Sequence, residues 1–100
     1  MKLVAIHGKP FGEEEKPKLE QFLKKLASCN FLPLFSEEFY SICSDANLKN
    51  LDDVQVYQSK TELKNVKYAF SFGGDGTLLD LLTHVAELEI PIIVAPYLRQ

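Results

Sequence analysis

Residues 70–82 read FSFGGDGTLLDLL, and this stretch decides the fold. Before the glycines, Tyr68 to Phe72 is a short apolar run that predicts a strand. After them, Thr77 to about Leu88 predicts a helix with Leu78, Leu81, Leu82, Val85 and Ala86 on its buried face. Three glycines and one aspartate lie between, so the chain turns sharply from strand into helix. The strand Ile92 to Ala95, apolar throughout, follows directly.

The same alternation runs through the rest of the chain. Lys2 to Ile6 predicts a strand ended by the loop HGKPFG. Leu19, Phe22, Leu23, Leu26 and Ala27 fall at helical spacing, and Asn30 ends that helix. Residues 31 to 35, FLPLF, predict a second strand, placed at a sheet edge because Pro33 cannot donate to a ladder. A short helix enters at Ser36, Val54 to Tyr57 forms a weak strand, and Ser59 with Glu62 has the spacing of a capping box. Strands alternating with helices predict an α/β architecture: a Rossmann-like open, mainly parallel sheet flanked by helices.

With 100 residues, the chain is expected to form a single α/β domain. Its 46% hydrophobic and 25% charged residues are an ordinary globular mixture. A net charge of −3 gives no reason to expect nucleic acid or an anionic membrane as partner. No apolar run reaches the ~18 residues of a membrane span, and the start has no signal-peptide pattern, so the expected location is cytoplasmic. Cys29 and Cys43 lack metal-site spacing and are expected to be reduced and partly buried. His7 and His84 have no ligand-spaced partner in the sequence. They are expected in solvent or packed in loops, and no metal site is read from them.

In open α/β sheets ligands bind beyond the carboxyl ends of the strands, which is where residues 73 to 77 lie. Gly73, Gly74 and Gly76 allow unusual backbone angles and close approach to a ligand. Free N–H groups opening the next helix favour phosphate. A carboxylate in such a cradle repels the phosphate, which implies a second job for Asp75. Accepting the hydrogen bond of a substrate hydroxyl would orient that hydroxyl and take its proton as the oxygen attacks a phosphoryl group. The bland alternative is that Asp75 only caps the helix. A chance GGDGT in a chain of this length has a probability of about 1 in 10,000 from average composition, which favours function. The third glycine of a dinucleotide fingerprint is missing after Gly76, and the Gly8 to Gly12 segment lacks the Lys-Ser/Thr of a P-loop.

GGDGTLL between an apolar strand and a helix, followed by IPIIV and preceded by the opening MKLVAIHGKPF, resembles the N-terminal part of NAD kinases. The resemblance implies phosphorylation of the adenosine 2′-hydroxyl of NAD to give NADP, with ATP or polyphosphate as donor. It further implies a divalent cation such as magnesium, and a homo-oligomer. It assigns Asp75 as proton acceptor and NAD contact, Gly76 and Leu79 as further NAD contacts, and Gly73, Gly74, Gly76 and Thr77 as the phosphate-binding loop. GGDGT also occurs in lipid kinases of the diacylglycerol and sphingosine type, but their Glu-Val-x-Asn-Gly stretch is replaced here by LLDLLTHV. A non-catalytic α/β nucleotide-binding or interaction module is the other alternative. NAD kinases continue beyond IPIIV with a further glycine-rich segment and a β-rich C-terminal domain that this sequence lacks. The resemblance therefore implies that the chain alone is inactive.

Overall fold

The computed structural model describes residues 2–51, 54–73 and 75–95, without the side chains of Asp75, Val94 and Ala95. Five strands form one parallel sheet: β1 (Lys2–Gly8), β2 (Phe31–Ser36), β3 (Gln55–Tyr57), β4 (Val66–Phe72) and β5 (Ile92–Ala95). Their order is β3-β2-β1-β4-β5. Helices α1 (Lys16–Ser28), α2 (Glu37–Asp45) and α3 (Asp75–His84) connect them, with a short 3₁₀ turn at Lys60–Leu63. This is the expected open α/β sheet flanked by helices.

Alternating side chains divide the core between the two faces of the sheet. Val4, Ile6, Phe35 and Phe72 pack with Leu19, Leu23 and Leu26 of α1 and with Phe39 and Cys43 of α2. Ala5, Leu34, Tyr57 and Ala69 pack on the other face with Leu63, with Leu81 of α3 and with Val85 just past its end. Period-two strands thus serve two helical layers at once, which is why their sequences read as continuous apolar runs.

Local chemistry sets the boundaries. Asn30 has φ 66°, the left-handed conformation that ends a helix at little cost to asparagine. Ser36 caps α2 by accepting a hydrogen bond from the Phe39 N–H at 3.1 Å. At the other end of α2, Asn47 has φ 56°, and its N–H reaches the Ser44 carbonyl while Leu48 N–H reaches that of Cys43. That pair of bonds is a Schellman closure, and Leu48 is buried beside it.

Three expectations are corrected. β2 lies between β3 and β1 rather than at an edge, but β3 pairs only with Leu34, Phe35 and Ser36. Pro33 sits just before that stretch, where β2 has no partner on the β3 side among the described residues. α3 ends at His84 rather than near Leu88, and Glu87 and Glu89 take φ of 72° and 54° in the turn that follows. Its buried line is Thr77 and Leu81, continued by Val85 just past its end, whereas Leu82 and Ala86 are exposed. Apolar residues lie nearly all round this helix, so periodicity alone did not select the face.

Candidate functional site

The strand order reverses direction between β1 and β4, and the loops leaving these two strands emerge side by side. Gly8 pairs with Phe72, and Lys9 N–H donates to the Phe72 carbonyl at 3.2 Å. A ligand crevice in an open α/β sheet forms at such a switch point. Here its two walls begin with HGKPFG on one side and the glycine loop on the other.

The approach of the two loops is close enough to require glycine. A Cβ on Gly8 would lie 2.7 Å from Phe39 Cε1 and 2.9 Å from the Phe72 carbonyl oxygen. Gly73 has φ +148°, and a Cβ there would lie 2.4 Å from Thr77 Oγ1. Thr77 is itself buried, so it locks the first turn of α3 against the end of β4. Gly74 lies outside the described residues. Asp75 is the first residue of α3. Gly76 is exposed, with open space where a Cβ would stand, and Leu79 is 63% exposed. Neither is held by the core, so both present surface in the first turns of the helix.

Beneath this loop lies a polar cluster that the sequence did not announce. His7 is not in a loop: β1 runs two residues past the expected end and buries the ring completely. Its Nδ1 is 2.7 Å from Ser36 Oγ, and its Nε2 is 2.7 Å from Asp80 Oδ2. Because Asp80 is an acceptor, Nε2 carries the proton, and Ser36 donates to Nδ1 while accepting from Phe39 N–H. Burial lowers the pKa of His7 from the usual histidine range, against the opposing pull of Asp80. Partial burial works against ionisation of Asp80, but hydrogen bonds from His7 and Lys9 outweigh it and hold its carboxyl below the usual range. Lys9 Nζ lies 3.3 Å from Asp80 Oδ2.

His84 completes the group. Its Nδ1 is 2.8 Å from the Tyr57 hydroxyl, its Nε2 is 4.0 Å from Asp80 Oδ1, and its ring centroid is 4.6 Å from that of His7. Burial pushes the Tyr57 hydroxyl above the usual tyrosine range, with the charges of Asp80 and Glu38 adding to the effect. Tyr57 is therefore a phenol that donates to His84 Nδ1. An open cleft of about 380 Å³ flanks the cluster, lined by Glu38, Tyr57, Ser59, Lys60 and His84 among others. Of the described residues 73 and 75–79, none lines that cleft.

The only sequence signal for this cluster was the odd position of His7 in β1, which puts it on the α3 face with Ala5. Asp80, His84 and Ser36, which lie 73, 77 and 29 positions from His7 in the chain, supply no readable spacing. The described donors do not suit magnesium, which prefers an octahedron of oxygen ligands, because two of the four converging groups are imidazoles.

No protein-family model matches the chain. An NAD kinase of Cytophaga hutchinsonii is 30% identical over 91 residues, which is 91% of this chain and 31% of that protein. The crystal structure of yeast NADH kinase complexed with NADH matches the fold with a TM-score of 0.71 at 15% identity, over 100% of this chain and 30% of that one. This chain thus spans about a third of the length of the proteins it matches. No helix among the described residues is long and apolar enough to cross a membrane. In sequence the chain is similar to part of an NAD kinase, and in fold to part of an NADH kinase.

Proposed function

We propose that this chain is the nucleotide-binding portion of a phosphotransferase that converts NAD to NADP by phosphorylating the adenosine 2′-hydroxyl, with ATP or polyphosphate as donor. The observation that carries the reading is the glycine turn: GGDG joins β4 to α3 at the switch point of the sheet, and Asp75 opens the helix. The 30% identity to an NAD kinase supports the choice of substrate class.

In this reading Asp75 accepts the hydrogen bond of the ribose hydroxyl, aims its oxygen at the phosphoryl group and takes the proton as the bond forms. Phosphoryl transfer passes through a loose transition state, so holding the two reactants in line matters more than the strength of the base. The amino end of α3 favours negative charge on the phosphates. Gly76 and Leu79, both exposed in the first turns of α3, give the nucleotide room to lie along the helix. Gly73 and Thr77 hold the turn in shape, and Gly74 belongs to the same phosphate cradle. A divalent cation travels with nucleotide phosphates in such reactions. The domain assignment for residues 1–100, a cytoplasmic setting and a homo-oligomer are parts of the same reading.

The chain spans 31% of the related NAD kinase, and further residues of the site are expected from the remainder of such a protein. A coupled assay with NAD, ATP and magnesium tests this directly. The 100-residue chain alone is expected to form no NADP, and a chimera carrying it in place of the matching segment of the Cytophaga enzyme is expected to be active. Asp75-dependent NADP formation by the chain alone would show a more complete site than this reading allows.

A further inference from the structure

We propose that His7, Glu38, Asp80 and His84 form a binding site for one divalent transition-metal ion of the zinc class. One ligand atom from each of the four lies within 4.8 Å of the others. They come from β1, α2 and α3, so the fold and not a local sequence repeat assembles them. Four-coordinate zinc, with bonds of about 2.0–2.1 Å to nitrogen and oxygen, needs donors about 3.3 Å apart. Side-chain shifts of the order of an ångström bring the present donors to that spacing.

The orientation of the two imidazoles argues for a metal more strongly than their proximity does. Each has its Nδ1 held by a hydroxyl, Ser36 for His7 and Tyr57 for His84, and each turns its Nε2 toward Asp80. Metal-binding histidines are oriented in this way, by a hydrogen bond at the nitrogen that does not bind the metal. When the ion binds, the His7 proton moves from Nε2 to Nδ1 and is donated to Ser36 Oγ. His84 likewise carries its proton on Nδ1, facing the Tyr57 oxygen. Lys9, about half exposed and at 3.3 Å, swings from Asp80 into solvent. Glu38 closes the site from the first turn of α2, where the open cleft gives an entry path.

An independent observation points the same way. The Ser71 hydroxyl is fully buried and has no hydrogen-bond partner among the described residues. Ser71 pairs with His7 across β1 and β4, so it faces the same side of the sheet. A buried hydroxyl without a partner calls for an explanation, and an ion held on this face of the sheet supplies one. Two imidazoles and two carboxylates select zinc, cobalt or nickel over magnesium and calcium. The ion would tie α3, whose first residue is Asp75, to β1 and α2.

The test uses the chain with Cys29→Ser, which removes the exposed thiol as a rival ligand. Metal-free protein is dialysed against zinc or magnesium and the retained metal counted, while Co²⁺ titration is followed by its visible absorption. One zinc per chain, cobalt bands of a low-coordinate complex that zinc displaces, and no retained magnesium are expected. Glu38→Gln should weaken zinc binding at least 10-fold, and His84→Ala more, with unchanged circular dichroism. Should His84→Ala fail to fold, Glu38→Gln decides, because its side chain is exposed. Less than half an equivalent of zinc, equal binding of magnesium, or unchanged zinc affinity in Glu38→Gln would overturn the proposal.

Discussion

Gly73 lies directly under Thr77: a single added carbon at Gly73 would stand 2.4 Å from the threonine hydroxyl. The backbone there, at φ +148°, is one that L-residues avoid. Gly73→Ala is therefore expected to lower unfolding stability by about 1–3 kcal/mol, the usual range for a residue forced into such a conformation. Urea denaturation measures it, and an unchanged midpoint would show that the turn relaxes freely.

Gly76 makes the opposite case. It sits in α3 with open space at its α-carbon, so no contact within the chain needs a glycine. Gly76→Ala is expected to keep stability or raise it by up to ~1 kcal/mol, as alanine does in helices. In the active chimera it should nevertheless weaken NAD, because the added methyl meets the ligand rather than the protein. A rise in KM for NAD beside an unchanged melting temperature is the expected pattern; an unchanged KM would remove Gly76 from the nucleotide site.

The 2.7 Å bond between His7 and Asp80 is the main polar tie between β1 and α3 among the described residues. Asp80→Ala leaves a buried imidazole N–H unpaired, at a cost of about 1–3 kcal/mol. His7→Leu with Asp80→Leu removes both partners, and its loss should fall short of the sum of the two single changes by about 1 kcal/mol or more. Denaturation of all four forms in EDTA gives the cycle, and additive losses would show that the bond carries no coupling.

The β4–glycine–α3 unit was legible because it is local: an apolar run, three glycines and a helical run adjoin in sequence. Asn30 and Ser36 were legible for the same reason, since capping depends on neighbours. Pro33 misled, because whether a strand is at an edge depends on how far β3, over twenty residues later, extends beside it. The buried face of α3 was hidden by its excess of leucines, and His7 by the length of β1. The cluster of His7, Ser36, Asp80 and His84 needs the folded sheet to exist at all. No spacing in the chain encodes it.

Cys43 and Cys29 should differ sharply toward alkylating reagents. Cys43 is on the buried face of α2, and burial pushes its thiol up to about 12, so at neutral pH it is a protonated, inaccessible group. Cys29 is exposed. Mass spectrometry after brief treatment with iodoacetamide should find one adduct, on Cys29, and a second only after denaturant is added. Early labelling of Cys43 would mean that the face packed by α1 and α2 opens readily.

The central claim is that Asp75 takes part in phosphoryl transfer rather than merely capping α3. The direct measurement is the rate of NADP formation by the chimera with and without Asp75→Asn, with NAD binding measured alongside. Asparagine is an equally good cap, so the loop should keep its shape and most of its affinity for NAD. Turnover should fall by at least ~10²-fold, as expected when general-base assistance is lost. Turnover near that of the unmutated chimera would contradict the account and leave Asp75 as a helix cap.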